Sequence, residues 1–114
     1  MDEETQKVLF SVDKISRKIS KDITYLKSEY NLAREQYKKN TGEQNPYTIE
    51  EKFLPEDFKE KRSKLSEMIE SCRVQLRKVW GRGNEEQQSI LQIHMSSVNG
   101  YRGRMLDLYR IKAA

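Results

Sequence analysis

The sequence is poor in the side chains that carry chemistry on their own. Its single cysteine, Cys72, and single histidine, His94, stand 22 positions apart. One thiol closes no internal disulfide, and one thiol with one imidazole falls short of the ligand set of a zinc site. No glycine-rich loop of nucleotide-binding spacing is present. The expectation is therefore a protein without catalytic, metal-binding or cofactor-binding residues, not an enzyme. Two prolines and five glycines leave little punctuation along the chain, which favours long helices over sheets. Apolar runs are short, well below the roughly 18 residues of a membrane span. The opening MDEETQKVLF is acidic where a secretory signal is basic and then apolar. A cytoplasmic protein with no membrane association follows as the expectation.

What the chain has in abundance is charge of both signs. Charged residues make up 35% of its 114 residues, with 22 basic against 18 acidic and a net charge of +4. The excess is spread thinly: residues 1–40 carry +2, residues 41–80 are neutral and residues 81–114 carry +2. No block has the density of a nucleic-acid-binding arm. The basic C-terminal residues Arg102, Arg104, Arg110 and Lys112, with Tyr101 and Tyr109 among them, are the one hint of nucleic-acid binding, and it is kept as an alternative. Gly81-Arg82-Gly83 resembles an arginine–glycine RNA-binding segment, but a single copy between two helical stretches reads as a turn.

Periodicity gives the architecture. Val8, Val12, Ile15, Ile19, Ile23, Leu26, Tyr30, Ala33 and Tyr37 are separated by eight steps over 29 residues, a mean of 3.6, the period of a straight α-helix. A first helix is predicted over about 3–39, roughly 50 Å long at the helical rise. Tyr25 and Leu32 share one flank of its seam, as expected if the helix touches two neighbours. Asn40 to Pro46 concentrates turn formers and reads as a loop. Thr48 and Glu51 have the spacing of a capping box, so a second helix is predicted over about 49–80, with Pro55 imposing a kink or a restart. Its seam is Phe58, Leu65, Ile69, Cys72, Leu76 and Val79. Gly81 to Gly83 ends it, and Asn84 with Gln87 caps a third helix over about 85–112. The third seam is Leu91, His94, Val98, Tyr101, Met105 and Leu108. Gly100 and Gly103 weaken this helix, each by roughly 1 kcal/mol relative to alanine, but the seam keeps register across them. Cys72 and His94 both lie in seams, where packing is their ordinary role.

Three helices with short links predict an all-α fold, an elongated antiparallel up-down-up bundle with spectrin-like coiled-coil packing, forming a single domain over 1–114. A two-helix hairpin that dimerises is the structural alternative. The oligomeric expectation is a monomer or weak homodimer.

Three elements resemble a known family. Asn45-Pro46-Tyr47-Thr48-Ile49, then Met68-Ile69-Glu70-Ser71-Cys72 with Leu76 four residues on, is similar to the paired elements at the start of and within the second helix of tubulin-binding cofactor A proteins. Ser20-Lys21-Asp22-Ile23-Thr24-Tyr25-Leu26-Lys27-Ser28-Glu29 resembles the charged pattern of that family's first helix. Glu70 departs from the pattern where the family has proline, and Phe53-Leu54-Pro55 stands as an insertion relative to it. The third helix has no match. The resemblance implies a non-catalytic chaperone that binds β-tubulin folding intermediates and passes them towards αβ-dimer assembly, cytoplasmic and cytoskeleton-associated. A helical adaptor or assembly protein with another partner is the alternative.

By periodicity the motif residues face the core, so contact residues must be sought opposite the seam. Glu60, Lys64, Glu67, Ser71, Val74 and Lys78 line that outward side of the second helix, with Glu70 and Arg77 at its edge. Glu67, Glu70, Val74, Arg77 and Lys78 are the candidate partner-binding residues, because an apolar side chain among charges is the one feature that a solvated face does not need.

Overall fold

The computed structural model describes residues 2–113. Three helices in chain order, α1 (Glu3–Thr41), α2 (Phe58–Lys78) and α3 (Glu85–Arg104), form an all-α three-helix bundle. Short 3₁₀ turns at Glu51–Phe53 and Leu106–Tyr109 complete it. The 39 residues of α1, at about 1.5 Å each, account for the 59 Å long axis, against 23 and 21 Å across. The radius of gyration is 17.7 Å, where a compact chain of this length has about 13 Å.

Each helix begins and ends for a local reason. The Asp2 carboxylate accepts from the Thr5 amide at 3.0 Å, and Glu3 and Glu4 place negative charge at the start of α1. Gly42 closes α1 at φ 78°, where its amide returns to the Lys38 carbonyl at 2.9 Å. Asn84 and Gln87 form the expected capping box on α3, with bonds of 2.9 and 3.1 Å. Gly83, at φ 88°, leaves room for that box, because a Cβ there would come within 3.0 Å of the Gln87 Cβ.

The seams meet inside one chain. Val12, Ile19, Ile23, Leu26, Tyr30, Ala33 and Tyr37 of α1 are buried against Leu65, Ile69, Cys72 and Leu76 of α2 and Leu91 and Val98 of α3. The directions alternate as predicted. Near one end of the bundle Gln87 bonds Asp2, and further along Tyr101 meets Ser16 at 2.7 Å, so α3 runs parallel to α1. Lys61, near the start of α2, instead reaches Glu29 towards the far end of α1 at 3.7 Å.

Four expectations need correction. Thr48 and Glu51 make no capping box: Thr48 lies in the loop, and the 3₁₀ turn that follows has no side-chain cap. Backbone pairing wins there, since Ile49 forms a parallel bridge with Ile111, donating to the Arg110 carbonyl at 3.2 Å and accepting from Lys112 at 2.8 Å. The second helix does not begin at residue 49; the chain makes one 3₁₀ turn, passes Pro55 and starts α2 at Phe58, a restart and not a kink. The third helix passes through Gly100 and Gly103 unbroken but stops at Arg104, short of 112, and tightens into the 3₁₀ turn that buries Leu108. Tyr25 and Leu32 are exposed: they lie on the flank of α1 that faces α2, where Tyr25 is covered only by the Lys61 ammonium, 5.1 Å from its ring centroid.

A charged clasp closes the end of the bundle where the α2–α3 turn meets the start of α1. Arg82 pairs with Asp2 at 3.2 Å and Glu4 at 2.7 Å. The Asp2 carboxyl is held below its ordinary value, chiefly by the Thr5 amide and also by Arg82. A carboxyl that is a stronger acid in the folded chain contributes stability above its unfolded value near 3.8 and loses it as pH falls through the lower folded value. Acidification below the ordinary carboxyl value of 3.8 is therefore expected to fray the first turn of α1 before the bundle melts, read as early loss of hydrogen-exchange protection at Gln6. Protection unchanged down to global unfolding would refute this.

Candidate partner-binding surface

The five candidate residues all lie on the exposed side of α2. Glu67, Glu70, Val74 and Arg77 follow steps of three and four, and Lys78 lies four beyond Val74, so the five form one outward stripe with Glu70 and Arg77 at its edge. Val74 is 42% exposed. Glu70 pairs with Arg73 at 3.1 Å, whereas Glu67, Arg77 and Lys78 make no ion pair among the described residues. The stripe therefore presents two carboxylates at its start, a valine at its centre and two cations in the last helical turn. Those cations also suit the exposed carbonyls of the helix end, yet their charges stay available to a partner.

A groove adjoins this stripe that the sequence did not disclose. Ser66, Ile69 and Glu70 of α2 face Met105, Leu106 and Tyr109 of the C-terminal turn across a space of about 500 Å³. Leu106 is 66% exposed at its wall, and Glu70 belongs to both features. Charged stripe and mostly apolar groove thus form one continuous surface. Leu106 was hidden because the seam period carried Met105 and Leu108 onward as a helix, with no sign that the chain would tighten between them.

The other sequence candidates disperse. Tyr101 is half-buried on Ser16, and Arg104 reaches Ser20 and Thr24 at 3.4 and 3.5 Å. Tyr109 bonds Ser66 at 2.8 Å beneath the Arg62 guanidinium. Arg110 pairs with Asp107 at 3.0 Å, and Lys112 bonds the Tyr37 hydroxyl and lies 3.8 Å from Glu43. These cations and aromatics serve separate intramolecular contacts and make no shared stacking platform for bases. Arg82 belongs to the clasp already described, and Gly81 and Gly83, both at positive φ, form the turn that carries it.

Cys72 is fully buried, and burial pushes its thiol above the ordinary value, so the reactive thiolate is disfavoured. His94 is half-buried on α3. Among the described residues no three His, Cys, Asp or Glu side chains converge on a point that could hold a metal ion. No described helix is long and apolar enough to cross a membrane.

Of the motif residues, Ile49, Ile69 and Cys72 are buried and Met68 is half-buried, while Tyr47 is exposed. α2 runs without interruption through Glu70. No family model matches the chain, and no curated protein or solved structure matches it.

Proposed function

We propose that the chain is a non-catalytic binding protein that presents the outer stripe of α2, with its adjoining groove, to a protein partner. The observation that carries this reading is the exposed Val74 among Glu67, Arg77 and Lys78, which make no ion pair among the described residues, beside the exposed Leu106. Such a surface combines an apolar centre with polar register-setting groups, the composition of a recognition face. The three seams are covered within one chain, which supports action as a monomer.

β-Tubulin folding intermediates are the proposed partner, and the cytoplasm, in association with the cytoskeleton, is the proposed site of action. This finer assignment rests on the elements at Asn45–Ile49, Ser20–Glu29 and Met68–Cys72, not on the contact surface. Buried Ile49, Ile69 and Cys72 would preserve the shape of the bundle and leave the charged stripe to choose the partner.

The test is to mix the purified protein with β-tubulin released from a chaperonin folding reaction, without nucleotide, and to follow it by size exclusion. A discrete complex with β-tubulin and none with α-tubulin supports the reading. Absence of any complex leaves a helical adaptor whose partner is another protein. Within the complex, Arg77→Glu combined with Lys78→Glu is expected to weaken binding by about tenfold or more, the scale of reversing two interfacial charges. Unchanged affinity in a variant that melts like the parent removes α2 from the interface.

A further inference from the structure

A second groove lies on the other side of the C-terminal segment and shares no residue with the α2 surface. Its floor is one stripe of α1, Lys27, Tyr30, Asn31 and Arg34, at steps of three, one and three. Its walls are the Asn45–Tyr47 loop and the Asp107–Arg110 segment, and the space between them is about 550 Å³.

The floor holds both walls in place. Tyr30 donates its hydroxyl to the Arg110 carbonyl at 2.7 Å. Arg34 donates Nε and Nη2 to the Pro46 carbonyl, both at 3.2 Å, and Nη2 also to Asn45 Oδ1 at 2.8 Å. The Arg110 guanidinium lies 4.4 Å over the Tyr47 ring, joining one wall to the other. The site is thus shaped before anything enters it, which lowers the ordering cost of binding.

Its charge is left unbalanced. Lys27 and Arg34 have no carboxylate partner among the described residues, and both Nη1 hydrogens of Arg34 lack an acceptor there. The one acid in the lining, Asp107, is engaged by Arg110 at 3.0 Å. Three cations face a single carboxylate, with the Asn31 amide between Lys27 and Arg34.

We infer that this groove binds an acidic, extended peptide segment, one side-chain carboxylate taken by Arg34 Nη1 and the next by Lys27. Guanidinium donors in a fixed orientation suit a planar carboxylate. A peptide fits better than a nucleic acid because the excess charge stays local. Beyond the Arg110 wall the next cation, Lys112, lies 3.8 Å from Glu43, so uncompensated charge does not run on in that direction to follow a phosphate backbone.

The probe is a fluorescein-labelled hexaglutamate peptide, with binding followed by anisotropy at low ionic strength and again at about 0.15 M salt. The full chain is expected to bind it, more weakly in salt. Lys27→Glu is expected to weaken binding by about tenfold, and Lys27→Gln by less. Lys14→Glu makes the same change of net charge at an exposed position distant in the chain, and it should leave affinity within about twofold of the parent. No binding, or equal losses at Lys14 and Lys27, would overturn the site. A labelled oligothymidylate that binds more tightly and loses affinity in the same variant would replace the peptide with nucleic acid. Because the two surfaces are separate, failure here and failure to capture β-tubulin are distinct results.

Discussion

Replacing Phe58 by alanine is expected to lower the unfolding free energy by about 3–5 kcal/mol, the range for emptying a buried aromatic site. Phe58 is 1% exposed and is the first residue of α2, with its ring 6.4 Å from that of Tyr30. It sits where the chain turns from the Glu51–Phe53 segment into the helix, so its ring fills the junction between α1, that turn and the start of α2. Neighbouring side chains cannot easily fill the space. Leu54 and Pro55 are tied by the restart, in which the Phe58 amide bonds the Pro55 carbonyl at 3.1 Å. For a domain of this size the loss corresponds to a fall in Tm of about 10–20 °C. Urea unfolding followed by circular dichroism checks it, with the midpoint moving and the slope unchanged. A loss below about 1 kcal/mol would mean that the restart packs less tightly than described.

The second large effect is expected at Gln87. This side chain is 2% exposed and joins the start of α3 to the start of α1. Its carbonyl oxygen accepts from the Asn84 amide at 3.1 Å and the Asp2 amide at 3.3 Å. Its Nε2 donates to the Asp2 carbonyl at 3.1 Å and to Gln6 at 3.3 Å. Leucine keeps the volume and removes all four bonds, stranding backbone groups of two chain segments in a partly buried place. Gln87→Leu is expected to cost about 2–3 kcal/mol, since each stranded group loses its partner without regaining full contact with water. Denaturant unfolding measures the loss, and hydrogen exchange should locate it at the ends of α1 and α3 that meet there. A variant as stable as the parent would show that water replaces the amide without penalty.

These two residues also mark what can be read from the chain alone. Phe58 and Gln87 were both legible, one as a seam position and one as the partner in a capping box. Spacing of three and four identifies which side chains can share a face, and the face with Leu65, Ile69, Cys72 and Leu76 had to be covered. The long-range link between Ile49 and Ile111 was not legible. A single backbone bridge has no period, and it displaced the local cap that Thr48 and Glu51 offered. The end of α3 was hidden for a related reason, because Met105 and Leu108 are three apart and point inward from either an α-helix or a 3₁₀ turn. The α2 stripe followed directly from the seam as its opposite face. The grooves on either side of the C-terminal segment did not, since both depend on where residues 105–112 lie against α1 and α2.

The bundle makes one division of labour physical. The seam residues of each helix are used up in the core, so recognition falls to side chains that the core does not need. The most direct measurement is side-chain footprinting of the complex with β-tubulin, by chemical labelling of carboxylates and amines with mass-spectrometric readout. Side-chain labelling is required because helical amides are already hydrogen-bonded and change little on docking. Glu67, Glu70 and Lys78 are expected to lose reactivity in the complex while Lys14 and Lys18 on α1 keep theirs. A complex in which the α2 side chains stay as reactive as in the free protein would contradict that expectation.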